Sequence, residues 1–281
     1  MFSTVASRSS RGRRAFNRSL LLVAALGGLA CRGESGPWHV RENAFTWLGT
    51  MQPGATLTVR ELRGGIDVVP STSDSVRVTT RTEWRRGDPA TDLNYSVSQD
   101  STGVVLCAVW GSGSCDREDY NANMGRGSTD AKVFFRIEVP AGVRLDLMTL
   151  DGNIRAAASA PVDAQVLNGD VVVATAVGPV QAETLNGDID VRMSSIVGTD
   201  SVVATTMNGD VYVYIPDGID ATVDMSTATG SASSAFAVRG TVESKRVGGV
   251  LGAGTHPIHL KSINGDVALR RLDAQGRPDS P

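Results

Sequence analysis

The chain has 281 residues, with 34 valines, 31 glycines, 3 lysines and 14 aromatic residues, a composition of many short strands and turns that speaks against a helical bundle. A hydrophobic share of 41% supplies a core and excludes wholesale disorder. The net charge of −3 hides an asymmetry: the first 30 residues hold five arginines and no acid, and the remainder, with 22 basic against 30 acidic residues, carries −8, a poor match to nucleic acid, whose phosphates call for clustered Lys and Arg.

Residues 11–18 are cationic, and Leu20 to Ala30 form an apolar run of 11 residues. This pattern reads as a bacterial secretion signal, so residues 1–30 are expected to be removed on export. At 1.5 Å per residue the run is too short for a hydrocarbon core of about 30 Å. Gly28-Leu29-Ala30-Cys31 resembles a lipoprotein signal, which implies a diacylglycerol on the Cys31 thiol as membrane anchor. Gly28 stands where such signals carry Leu, Val or Ile, and Gly28-x-Ala30 equally suits an ordinary signal peptidase with a soluble secreted product. Both routes lead out of the cytoplasm. Residues 31–47 would then be a tether, in which Trp38 and Trp47 either plug the end of the repeat domain or lie free.

Val76 to Thr82 and Tyr95 to Ser98 have strand character. Three cysteines are an odd count for an exported chain. Lipidation of Cys31 would leave Cys107 and Cys115, eight residues apart around Trp110-Gly111-Ser112-Gly113. They are expected to pair as a disulfide worth about 2 to 3 kcal/mol on the chain-entropy model, the alternative being two free thiols. Neither has CxxC spacing or a neighbouring histidine, which argues against zinc. Residues 111–130, rich in Gly, Asn, Asp and Ser, read as an excursion from the scaffold, and Val133 to Val139 resumes the strands.

From residue 149 a phrase recurs: Thr149-Leu150-Asp151-Gly152-Asn153-Ile154, Val166-Leu167-Asn168-Gly169-Asp170-Val171, Thr184-Leu185-Asn186-Gly187-Asp188-Ile189, Thr206-Met207-Asn208-Gly209-Asp210-Val211 and Ser262-Ile263-Asn264-Gly265-Asp266-Val267. Degenerate copies stand at Glu61 to Val68 and Thr227 to Ala232. From Gly152 the glycines are spaced 17, 18, 22, 21 and 35 residues, a period that belongs to stacked β-solenoid rungs. Val180, Ala182 and Thr184 keep one parity, and Leu185, Gly187, Ile189 and Val191 the other, so the phase slips at Asn-Gly-Asp as at a corner or bulge. Both apolar sets are expected to face inward, with glycine at a tight corner. Each buried Val, Ile, Leu or Met contributes about 1.5 to 3 kcal/mol, but only against neighbouring rungs.

On this reading Asp170, Asp188, Asp210 and Asp266 form an outward column at a rung spacing of about 4.8 Å. A carboxylate column invites calcium, but one Asp per rung without a second Gly-x-Asp favours turn residues accepting backbone amides. No metal or other cofactor is expected.

The recurring [TS]-[LMI]-N-G-D-[VI]-x-V, preceded by Val-x-Ala-x-Thr, resembles the bacterial putative-adhesin family of β-strand-repeat domains of unknown function and, more distantly, the related Gly-Ile-Asn head domains. The resemblance covers residues 48–272 and implies an all-β, right-handed single-chain β-helix, exported or membrane-tethered, without catalytic residues to carry over. Irregular rungs of 17 to 22 residues would fill 48–272, and residues 273–281, without apolar content, would be a disordered tail.

Catalytic candidates are thin. His39, His256 and His259 are the histidines, and His256-Pro-Ile-His259 does not share a helical face as a metalloprotease motif must. Gly111-Ser112-Gly113-Ser114 is not a nucleophile elbow. Asp188, Asp190 and Arg192 share the outer face on which a β-helix polysaccharide lyase or hydrolase would place acids and bases, yet outward Asp and Arg also solubilise any strand. The sequence therefore predicts an exported, non-enzymatic binding or structural module of the cell envelope, with a protein or polysaccharide ligand. The alternatives are an envelope-stress regulatory partner and, less favoured, that lyase or hydrolase.

Overall fold

The computed structural model describes residues 36–123, 129–196 and 200–272. The signal-like segment, Cys31 and residues 273–281 lie outside the described residues.

Each repeat phrase is a corner between two strands. Val180–Asn186 turns at Gly187-Asp188 and leaves as Ile189–Met193. The same unit pairs Arg144–Asp151 with Ile154–Ala158, Val162–Asn168 with Val171–Thr175, Val202–Asn208 with Val211–Ile215, and His256–Asn264 with Val267–Arg271. The degenerate phrases build two further rungs, Thr56–Arg63 with Ile66–Pro70 and Ala221–Ser226 with Ala232–Ser234. Rungs are named below by their corner glycines: 64, 152, 169, 187, 209, 230 and 265. Strands before the corner pair in one sheet and strands after it in a second, each of eleven strands among the described residues.

Parallel register stacks like on like. Val162, Val180, Val202 and Ile258 form one inward column, and Val171, Ile189, Val211 and Val267 form another on the second sheet. All are buried, so the core is a slab between two sheets, and one rung alone would leave both its faces in water. The chain is an all-β solenoid.

One expectation fails at the corner. Leu167 and Met207, expected inward, are each 43% exposed, as is Ile263 at 39%. The inward set ends one residue earlier, at Thr184 or Thr206, whose hydroxyls donate to the carbonyls of Gly169 and Gly187 at 2.9 and 3.0 Å. The slot beside the corner faces a corner carbonyl and selects a donor, and alternation then turns the next residue outward. The slip occurs after the apolar residue of the phrase, not before it.

The rungs are also not stacked in chain order. The spatial sequence is 64, 152, 169, 187, 209, 265, 230: the last rung of the chain pairs with the Gly209 rung on one side and the Gly230 rung on the other. The long interval between Gly230 and Gly265 therefore holds the second strand of the terminal rung and a cover, Arg239–Glu243 and Arg246–Leu251, added antiparallel to Ala221–Ser226. At the other end Gly103–Trp110 and Lys132–Val139 pair parallel to the Gly64 rung, with residues 111–131 in place of a tight corner. Leu93–Gln99 and Ser75–Trp84 then add antiparallel strands, and His39–Arg41 and Thr46–Thr50 pair with the latter. Residues 39–50 thus belong to the sheet, with Trp47 packed on the core and Trp38 under the Arg85 guanidinium. Antiparallel cover with polar, exposed outer strands blunts the template that an open sheet edge presents.

Candidate functional site

The corner column is the most regular polar feature of the molecule. Gly169, Gly187 and Gly209 have φ of +144°, +153° and +150°. A Cβ on each would overlap the carbonyl of the corner glycine of the adjoining rung. Glycine is therefore required by close approach as well as by conformation. Each corner N–H donates to the next rung, Gly187 to the Asn208 carbonyl at 2.9 Å and Gly209 to Asn264 at 2.9 Å.

Two side-chain ladders flank this backbone. The Nδ2 groups of Asn168, Asn186, Asn208 and Asn264 donate to Oδ1 of Asp151, Asn168, Asn186 and Asn208 at 2.7–2.8 Å. The backbone N–H groups of Asp170, Asp188, Asp210 and Asp266 donate to Oδ1 of Asn153, Asp170, Asp188 and Asp210 at 2.7–3.0 Å. The Asp266 carboxylate completes the run by accepting from Ser231. One oxygen of each aspartate is thus engaged by an amide, the geometry of a turn residue linking rungs. Among the described residues no group of three or more His, Cys, Asp or Glu is placed to hold a metal.

The enzymatic candidates separate. His256 is buried with Nδ1 3.2 Å from the Asp200 carbonyl, whereas His259 is exposed, 3.9 Å from Asp224. Asp188 belongs to the corner, and Asp190 is ion-paired with Arg192. Beside them the Tyr212 hydroxyl donates to Asp210 at 2.9 Å and the Arg270 guanidinium lies 4.1 Å over its ring. Desolvation, then the Asp210 carboxylate, pushes this phenol up to about 12, so it stays a neutral donor.

Three apolar residues expected inward, Leu167, Leu185 and Met207, instead belong to an outer stripe. Leu150, Leu167, Leu185, Met207 and Ile263 occupy one column on the outside of the first sheet, beside the asparagine ladder. With Met148, Gln165 and Glu183, the first three line a groove of about 370 Å³.

The start of the excursion from the scaffold is packed against the sheet. Cys107 and Cys115 are bonded, their Cα atoms 6.4 Å apart, and Ser114–Cys115 pairs with Tyr120–Asn121. Arg60 bonds both Asp146 oxygens at 2.7 Å and the Arg117 carbonyl at 2.9 Å. The segment therefore lies on the outer face of the first sheet, and the strands beneath it, Thr56–Arg63 and Gly103–Trp110, are buried on both faces over most of their length. Unreduced protein is expected to show no alkylatable thiol at either position, and Cys107→Ser with Cys115→Ser to lose about 2 to 3 kcal/mol of stability. Two reactive thiols in the unreduced chain would refute the pairing.

Among solved structures, a "putative cell adhesion protein" from Clostridium sporogenes aligns at 9% identity over 82% of this chain and 100% of its own, with a TM-score of 0.44. A "putative adhesin" from Bacteroides fragilis aligns at 12% identity over 80% of this chain and 96% of its own, with a TM-score of 0.37. No curated protein matches. The model of the Toastrack DUF4097 family matches residues 93–270. That span holds five of the corner phrases, together with the terminal rung, and more than half of the chain, which therefore belongs to the Toastrack DUF4097 family.

Proposed function

We propose that the protein is an exported, non-enzymatic binding module of the bacterial envelope, held to the membrane through Cys31, whose working surface is the outer face of the first sheet. The observation that carries this reading is the apolar stripe. Five rungs place a Leu, Met or Ile on the outer side in register, exposed at Leu167, Met207 and Ile263 and half-buried at Leu150 and Leu185, although the corner needs only a residue of outward parity there. A rigid row of apolar side chains beside a row of carboxamides offers an extended partner both contact area and orientation. The secretion-type N-terminal segment supplies the compartment.

The test has two arms in cells expressing the chain. Cys31→Ala is expected to move the protein from the membrane fraction to the soluble fraction, because a diacylglycerol supplies the two chains that stable anchoring needs. Purified Cys31→Ala protein is then added to isolated envelope fragments. It is expected to cosediment, and the further pair Leu167→Glu and Met207→Glu to abolish cosedimentation while leaving the melting temperature within a few degrees. Membrane retention of Cys31→Ala would remove the anchor from the proposal, and unchanged cosedimentation of the stripe variant would remove the surface.

A further inference from the structure

The aspartate ladder has an unfinished end. In five successive rungs the residue after the corner glycine donates its N–H to a side-chain oxygen one rung back, from Ser231 on Asp266 to Asp170 on Asn153. One step further the ladder stops, because the Gly64 rung carries Gly65 where the others carry Asp, Asn or, in the Gly230 rung, Ser. The Asn153 N–H consequently meets no acceptor among the described residues.

A cavity of about 280 Å³ opens at this place, floored by Gly64, Gly65 and Gly152 and walled by Phe134 and Lys132 on one side and Asn153 and Arg155 on the other. Gly64 is at φ +135° with the Val133 carbonyl against it, so no side chain fits there. Gly65 differs: its φ lies outside the left-handed range, and an added Cβ would stand 3.3 Å from the Asn153 carbonyl and 3.5 Å from the Phe134 ring. A side chain at 65 would therefore need the Asn153 carbonyl to give by only a few tenths of an ångström, whereas at 64 it would meet backbone head-on. Lys132, one of three lysines in the chain, and Arg155 are exposed and outside every ion pair among the described residues. The two acids on the rim are engaged, Asp67 by Arg136 at 2.9 Å and Asp151 by the Asn168 carboxamide at 2.7 Å.

We propose that this cavity is a binding site for a carboxylate. One ligand oxygen takes the acceptor position that Asp170, Asp188 and Asp210 fill in the rungs above, receiving the Asn153 N–H. Lys132 and Arg155 supply the opposite charge, and Phe134 lies against the apolar part of the ligand. Carboxylate is favoured over a tetrahedral anion because the slot repeats a position built for a planar carboxyl group on a short stem, where the amide bond is 2.7–3.0 Å in every other rung. A charge-assisted bond from a fixed amide, backed by two exposed cations, is a strong and orienting combination. The site is separate from the apolar stripe and does not depend on it.

The experiment is titration calorimetry of the purified folded chain with galacturonate, with N-acetylaspartate methylamide and with inorganic phosphate. One or both carboxylates are expected to bind, and the stronger of the two tells whether the natural source is an acidic sugar or an acidic peptide. Gly65→Asp, which supplies the missing acceptor from within, is expected to weaken binding about tenfold or more. The doubly exposed change Lys132→Gln with Arg155→Gln, which cannot disturb the core, is expected to weaken it about tenfold. Phosphate binding more tightly than both carboxylates, no heat from either carboxylate at millimolar concentration, or unchanged affinity in the Lys132 and Arg155 variant would each overturn the assignment.

Discussion

Gly187→Val is expected to lower the melting temperature by about 5 to 20 °C, while Asp188→Asn, one residue away, shifts it by no more than a few degrees. At residue 187 a β-branched side chain meets left-handed strain at φ +153° and the Gly169 carbonyl in its path. Each of these costs about 1 to 3 kcal/mol, and for a domain of this size each kcal/mol moves the midpoint by about 2 to 4 °C. The damage is shared, because the Gly187 N–H holds the Asn208 carbonyl and the Gly187 carbonyl holds the Thr206 hydroxyl at 3.0 Å. Rungs on both sides lose register with it. Asparagine at 188, by contrast, keeps an oxygen for the Asp210 N–H, now bonded at 2.8 Å. Thermal unfolding of both variants, with and without millimolar calcium, decides between an aspartate turn and an aspartate cation column. A larger loss for Asp188→Asn that appears only with calcium would establish the latter.

Glu61→Gln is expected to stabilise the protein at neutral pH and to flatten its stability between pH 4 and 8. Glu61 occupies the slot that Thr149 fills in the adjoining rung, but it is fully buried. Its Oε1 accepts from the Arg63 N–H at 2.8 Å, while Oε2 and the facing Trp110 indole complete no hydrogen bond. Burial raises the carboxyl well above its ordinary value, against the smaller opposing effect of the Arg63 and Leu62 amides. Its neighbours Tyr95 and Tyr120 are held neutral, both chiefly by burial. The folded state therefore keeps a proton that the unfolded chain releases near its ordinary value of 4.5. The stabilisation from that proton is complete below this value and is lost as pH rises through the folded-state value, at up to about 1.4 kcal/mol per pH unit. Glutamine removes the charge at every pH. Melting curves of the two proteins that stay parallel from pH 4 to 8 would show that Glu61 does not titrate in this way.

The solenoid was legible because its corner is chemically narrow: close backbone approach forces glycine, and the ladders select Asn and Asp beside it, so the motif repeats almost verbatim. Inward Val and Ile columns followed from alternation. What alternation did not reveal was the corner carbonyl that recruits Thr184 or Thr206, and without it Leu167 and Met207 were placed in the core although they line the outer stripe. The Gly65 cavity was equally hidden, since an omitted side chain is a signal only once the ladder it interrupts is seen. The stacking order escaped as well, because a degenerate phrase such as Thr227 to Ala232 carries no mark of which neighbour it will meet.

That order has a consequence for how the chain comes to be folded. Rungs 152 to 209 can assemble in the order in which they emerge, each closing on a neighbour 17 to 22 residues away. The final strand pair must instead find Val202 to Ile215 from 56 residues further along, as Val211 pairs with Val267, and take its place beneath a terminal rung made before it. Placing that pair is therefore a non-local step of the kind that slows folding. The same arrangement leaves those strands clamped on both sides, Val267–Arg271 between Val211–Ile215 and Ala232–Ser234, so the Gly265 rung cannot fray from the end of the stack.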